Sequence, residues 1–170
     1  MSFKTYTKLE VACEHLEVAL RLFFEGKEYF AVITLAGAAE EILGKHLTAR
    51  GRTNSVEELV GGAVRIRIGL LNEESTKGYF PDESDNLSEK EAKKALFNVA
   101  NYPRNAAKHM DANYPEDSTI RVFPKEAAHD LLNRAVDNYY TLLNYFNCGL
   151  QETELVRQFN KYRVSPNNSG

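Results

Sequence analysis

Cysteine is almost missing from this chain of 170 residues: there are two, Cys13 and Cys148, far apart and outside any metal-ligand spacing. That excludes a disulfide-stapled secreted scaffold and a zinc ribbon. Both lie in apolar stretches and read as buried thiols of a reducing cytosol. Charge of one sign is also scarce. The formal net charge is −3, so a polyanion binder that works by bulk charge is excluded, and any nucleic-acid site must be a local patch. Long apolar runs are missing too. The longest nearly apolar stretch, Phe30 to Ala39, is far short of the ~20 residues that span a bilayer. Met1-Ser2-Phe3-Lys4-Thr5 has no apolar signal core. The expectation is a cytoplasmic protein without a membrane segment. A glycine-rich phosphate loop is absent as well: Gly61-Gly62 follows no strand and precedes no Gly-Lys-Ser/Thr.

What is present is enough for one ordinary domain. Hydrophobic residues make up 43% of the chain, charged residues 26% and aromatics 11%, which excludes a disordered polymer. The apolar residues recur with helical spacing. Leu9, Cys13, Leu16, Leu20 and Phe23 step by four and three, and Gly26 is placed to cap the end. A second helix is expected from about Glu28 to Ala49. It is apolar on more than one side and kept thin by Ala36, Gly37, Ala38, Ala39 and Gly44, as a central helix is. Gly51 stops it. Ser55-Val56-Glu57-Glu58 reads as a capping box, followed by Leu59, Ala63, Ile66 and Leu70 at helical steps. Glu73 to Asn86 is a polar, acidic loop. Ser88-Glu89-Lys90-Glu91 is another capping box, with Ala92, Ala95, Leu96 and Val99 as the buried side of the next helix. Pro103 then either kinks that helix or starts a new one, which runs on through Met110.

Asp111 to Ser118 holds turn residues, and Thr119 to Phe123 reads as a short extended piece. From Pro124, the residues Ala128, Leu132, Ala135, Tyr139, Leu142 and Phe146 form the longest unbroken stripe, which Gly149 ends. These elements predict an all-α, up-and-down bundle of four to five main helices over residues 1–150. A short helix follows over 151–163, then a flexible tail over 164–170. Leu16, Leu20, Leu43, Leu96, Leu132, Tyr139 and Leu142 are expected to share one core.

The stretch that carries chemistry is Asn101-Tyr102-Pro103-Arg104-Asn105-Ala106-Ala107-Lys108-His109. On a helix Asn105 and His109 lie on one face, four residues apart. Arg104 and His109 are five apart, about 140° around the axis, so one copy does not easily aim both at one atom. A bent arginine or a twofold partner would bring them together. If Pro103 opens a new helix, free N–H groups beside Arg104 would also favour an anion. Arginine is a permanent forked donor to phosphate, and histidine exchanges a proton near neutrality. Cleavage of RNA by its own 2′-hydroxyl needs a base, an acid and a charge stabiliser, and no metal. The competing reading is an ordinary solvated helix face.

Arg104-Asn105, three further residues and His109 match the signature of the HEPN superfamily (higher eukaryotes and prokaryotes nucleotide-binding), which this chain resembles over roughly residues 8 to 147. The all-α context and the long helix after the motif fit as well. Leu35 to Lys45 looks like the family's second helix, whose acidic residue near the motif would be Glu40 or Glu41. The resemblance implies a HEPN-like homodimer with two motifs at the interface, and metal-independent RNase activity in toxin–antitoxin or other defence systems. It also implies, as the alternative, a non-catalytic module that binds a nucleotide, RNA or a protein partner such as an antitoxin. Arg104, Asn105 and His109 are the implied catalytic residues. The tyrosine that some toxins carry two residues after the histidine is replaced here by Asp111. Between Ser88 and Met110, Lys90, Lys93, Lys94, Arg104 and Lys108 stand against Glu89 and Glu91, a local excess of basic charge. Lys94 and Lys108 are the candidate phosphate contacts in that stretch.

Other constellations are weaker. Glu126-x-x-His129 has the spacing of a di-iron bundle but stands alone, so no metal or cofactor is expected. His46 suits the C-terminal end of its helix, and His15 reads as a surface residue. Tyr139, Tyr140, Tyr145 and Phe146 at helical spacing read as core and rim before they read as base-stacking groups.

Overall fold

The first helix, α1 (Lys8–Glu25), starts at a capping box that the apolar stripe alone does not reveal. Thr7 Oγ1 accepts the Glu10 N–H at 3.1 Å, and the Glu10 carboxylate accepts the Thr7 N–H at 2.6 Å. It ends where Gly26 takes φ +69° and donates to the Leu22 and Phe23 carbonyls, as expected. The computed structural model describes residues 2–72, 88–108 and 119–164 (for 67–72, the backbone only). The other helices are α2 (Tyr29–Thr48), α3 (Ser55–Asn72), α4 (Glu89–Lys108), α5 (Pro124–Tyr145) and α6 (Glu154–Val164). Among the described residues the chain is all-α, with no strand, and no helix is long and apolar enough to cross a membrane. The expected acidic loop over Glu73–Asn86, the turn at Asp111–Ser118 and the tail beyond Val164 lie outside the described residues.

The chain groups into two compact units, Met1–Ser55 with Pro103–Gly170, and Val56–Tyr102. The first is a helical bundle built on α1, α2 and α5. Its core holds Leu16, Leu20, Ile33, Leu43, Leu47, Leu131, Leu132, Val136, Tyr139 and Leu142, with Val156 and Phe159 of α6 closing one side. The expected stripes on α1 and α5 are therefore the observed ones. α2 is the central helix, packed against both α1 and α5. Phe23 meeting His129 and Asn138 meeting Glu40 set α1 antiparallel to α5 and α2 parallel to it. α5 stops at Tyr145, earlier than the Gly149 end expected, because Phe146 leaves helical dihedrals and closes on the Leu142 carbonyl.

The second unit has its own small core. Val56, Val60 and Val64, at steps of four, pack with Leu96, Phe97 and Ala100. This corrects three expectations. Leu96 belongs to this cluster and not to the core of the first unit. Leu59 and Ile66 are exposed, as are Ala95 and Val99. Both α3 and α4 carry apolar residues on more than one face, and the valine row won on α3. Ser88 and Glu91 do form the expected capping box, with hydroxyl and carboxylate 2.6 Å apart. Ser55 does not cap α3. It is the first helical residue, and its hydroxyl donates to the Arg134 carbonyl at 2.9 Å.

A Leu132→Ala change empties a fully buried site and is expected to cost about 2–5 kcal/mol in urea unfolding. Thr7→Ala removes the exposed cap of α1 and should cost about 1 kcal/mol. A Leu132→Ala loss as small as that of Thr7→Ala would contradict the core assignment.

Candidate functional site

α4 runs unbroken through Pro103, so the reading of Pro103 as the start of a new helix is corrected. The bond lost at the proline nitrogen falls on the Val99 carbonyl, on a residue that is 71% exposed, where the loss is less costly than in a buried helix. The N–H groups after Pro103 are consequently inside a helix and make no anion-binding terminus beside Arg104.

Arg104 does not project into solvent. Its side chain is 14% exposed and lies across α2, where Nη1 donates to Glu40 Oε2 at 3.1 Å and stands 3.7 Å from Glu41 Oε2. Its Nε points to Asn105 Oδ1 at 3.4 Å. The close approach needs a glycine. A Cβ on Gly37 would stand 2.5 Å from Arg104 Cγ and 2.7 Å from Cδ. Glu40 follows Gly37 by three residues and so lies on the same face of α2. One turn further, Gly44 gives room to the Asn138 amide and the Asn54 side chain, each 3.3 Å from where a Cβ would be. The thinness of α2 expected from its small residues is thus a row of seats for polar side chains.

Asn138, itself buried, ties this row together. Its Nδ2 donates to the Glu40 carbonyl at 3.2 Å, and its Oδ1 accepts the Ser55 N–H at 2.8 Å. One otherwise orphaned donor at the start of α3 is thereby satisfied by α5. Arg134, 8% exposed and one turn before Asn138 on α5, lies close enough to Glu40 for the two charges to act on each other.

The electrostatics of Glu40 follow from burial. With 3% of its side chain exposed, its carboxyl is pushed above its ordinary value by desolvation; Arg134, then Arg104 and Lys108, pull it back only in part. Glu41 goes the other way: its bond to Lys45, at 2.7 Å, holds its carboxyl below the ordinary value. Burial lowers Arg134, and Glu40 and Asp130 offset that.

The structure thus brings together Arg104, Asn105, Glu40 and Glu41, with Lys108 near enough to act on both carboxylates. Asn105 and Lys108 are exposed on α4. Lys94 is exposed on the part of α4 that belongs to the second unit. His109 lies outside the described residues. Sequence reasoning missed Gly37, Arg134, Asn138 and Ser55. The available signal was the pair Arg134 and Asn138, two polar residues four apart and next to the apolar stripe of α5.

Among the described residues no three His, Cys, Asp or Glu side chains gather as a metal site. His129 is not a simple surface residue: its ring packs among Phe23, Phe159 and Tyr162 at 5.7–6.0 Å. His15 is half-buried, not a surface group. Cys13 and Cys148 are free and half-buried, on the wall of a cavity of about 520 Å3, and burial pushes the Cys13 thiol up to about 11. At neutral pH such a thiol is a poor nucleophile. Family models, curated proteins and solved structures were each compared with the chain, and none matches it.

A carboxyl whose folded value is raised contributes stability below the ordinary glutamate value, and that contribution is lost as pH rises through the folded value. Stability should therefore climb as pH falls from neutrality towards the ordinary glutamate value, and Glu40→Gln should flatten that slope. At neutral pH Glu40→Gln is expected to stay within about 1 kcal/mol of the parent, since the charge it removes was costly to bury. A loss of about 3–5 kcal/mol in urea unfolding would instead mean that the ion pair is a net source of stability.

Proposed function

We propose that the chain is a metal-independent endoribonuclease of the HEPN type, acting as a homodimer in a cytoplasmic toxin–antitoxin or other defence setting. The observation that carries this reading is the Arg104–Glu40 ion pair, with Glu41 beside it: an acidic residue of the second helix stands next to the motif arginine, as it often does in the family this chain resembles. The burial of Glu40 is consistent with it. A carboxylate kept in the interior against its burial cost, beside charged partners, fits a working site as well as a structural ion-pair network.

In this reading His109 takes the proton of the ribose 2′-hydroxyl and its partner copy, or the same ring in turn, returns a proton to the departing 5′-oxygen. The 2′-oxygen bonds to phosphorus as the bond to the 5′-oxygen breaks, leaving a 2′,3′-cyclic phosphate. Arg104 stabilises the charge that gathers on the phosphate oxygens. Glu40 and Glu41 are positioning residues that hold Arg104, Asn105 orients the imidazole or a phosphate oxygen, and Lys94 and Lys108 contact the strand. The twofold partner answers the angular problem of Arg104 and His109 on one helix. A second reading, a HEPN-like module that binds RNA, a nucleotide or an antitoxin protein without cutting, is favoured by one fact: Arg104 is already neutralised by two carboxylates.

Incubation with total RNA in EDTA separates the two. Cleavage should persist in chelator, end in 2′,3′-cyclic phosphate, and fall by about 10²–10⁴ in His109→Ala. Arg104→Ala should lose a comparable amount and Asn105→Ala less. Light scattering at micromolar concentration should report a dimer. Cleavage that survives His109→Ala or disappears in EDTA would remove the nuclease reading; complete inertness towards RNA would leave the binding module.

A further inference from the structure

We propose that the end of the first unit where α2 and α5 terminate is a binding platform for single-stranded nucleic acid, built on Arg52 stacked against Tyr145 and Arg50 against Phe146. It deepens the nuclease reading by supplying a second hold on the strand, and it rests on that reading only for its biological sense. The two helix ends lie together because α2 and α5 run parallel. No Asp or Glu occurs from Ile42 to Val56, nor from Asn138 to Gln151, in a chain whose net charge is −3. Lys45, Arg50 and Arg52 therefore fall in a stretch of sequence that carries no acidic residue. Among the described residues the only carboxylate bonded to them is Glu41, on Lys45.

Helix dipoles explain some of this charge. Arg50 donates to the His46 carbonyl at 2.8 Å, an ordinary way to finish α2. They do not explain Arg52. Its backbone N–H closes on the Leu47 carbonyl, while its guanidinium goes over the Tyr145 ring, 4.3 Å from the centroid. Arg50 stands 5.6 Å from the Phe146 centroid. Tyr145 is 63% exposed and Arg52 is exposed. A guanidinium placed over an aromatic ring can offer its other face to a base and its charge to a phosphate. An acidic peptide without aromatic side chains, such as oligoglutamate, would use the charge but leave the ring faces unused.

Next to these residues opens a cleft of about 400 Å3, edged by Lys8, Lys45 and His46 with Ile42 and Ala49 as its apolar floor. Cationic edges over an apolar floor suit a sugar–phosphate with its base. Arg50 is ten residues along α2 from Glu40, about 15 Å at 1.5 Å per residue, within the span of a short strand.

A short fluorescein-labelled oligodeoxythymidylate tests this by anisotropy, because without a 2′-hydroxyl its binding is read apart from cleavage. Arg52→Gln and Tyr145→Ala alter exposed groups, so both should keep the parent's circular dichroism. Each is expected to weaken binding between about five- and a hundredfold, the range of one lost base stack. Arg52→Gln should also reduce the salt slope by about 0.7, the loss of one phosphate contact. Arg52→Lys, which keeps charge without a planar face, should fall with Arg52→Gln. Parent-like affinity in Arg52→Gln and Tyr145→Ala, no binding by the parent, or equal affinity for an oligoglutamate peptide would overturn the platform. Binding lost in Arg52→Gln but kept in His109→Ala supports the platform whatever the cleavage assay gives. Cleavage that depends on His109 with unchanged binding in Arg52→Gln overturns the platform and leaves the nuclease standing.

Discussion

A carboxylate with almost no access to water, Glu40, is the constraint around which the first unit is arranged. Taking it out of solvent is costly, and guanidinium groups from two other helices offset part of the cost, Arg104 of α4 by an ion pair and Arg134 of α5 by its nearby charge. Its backbone carbonyl accepts a bond from Asn138. These contacts require α4 and α5 to lie close to α2, and they are possible because Gly37 and Gly44 remove the side chains that would stand in the way. Apolar packing of α1, α2 and α5 supplies the bulk of the stability. The polar centre fixes which turn of α2 faces which turn of its neighbours, because a slip of one turn would strand a charge.

The same arrangement has a consequence for chemistry. Arg104 has its guanidinium held at one point by Glu40 and Glu41, and its stem seated over Gly37. In the proposed nuclease, a phosphate that drew Arg104 away would leave Arg134 near Glu40, so the carboxylate would keep a counter-ion. That is a physical basis for one arginine to alternate between an internal acid and an external anion.

How much of this is readable from the sequence differs from helix to helix. The stripes of α1 and α5 are legible because each carries apolar residues on a single face; Leu16, Leu20, Leu132, Tyr139 and Leu142 are buried where the spacing puts them. α3 and α4 are less legible. Val56, Val60 and Val64 compete with Leu59 and Ile66, and only the partner decides which row is covered. The alanines and glycines of α2 announce a close approach without saying what approaches. Neither spacing nor composition pairs Gly37 with Arg104 across 67 positions, or makes Asn138 the partner of the Ser55 N–H. Serine and glutamate at Ser55 and Glu58 resemble a cap, but a buried amide from α5 supplies the bond first. The chemistry of Arg104 and Asn105 was legible in their residue types, and the acidic pair Glu40 and Glu41 only through the family resemblance.

The seat of Arg104 over Gly37 is tested most directly by a double-mutant cycle in urea unfolding. Gly37→Ala is measured in the parent and in Arg104→Ala. With Arg104 truncated, the new methyl is freed of Cγ and Cδ and meets only the Cβ of position 104, at 3.2 Å, so α2 should gain up to roughly the 1 kcal/mol by which alanine exceeds glycine in a helix. With Arg104 in place the methyl collides with its stem, so that gain should vanish or turn into a loss. A coupling of about 1 kcal/mol or more between the two positions is the predicted result. Equal stabilisation by Gly37→Ala in both backgrounds would contradict the account, because Arg104 would then not lie in the glycine notch beside Glu40.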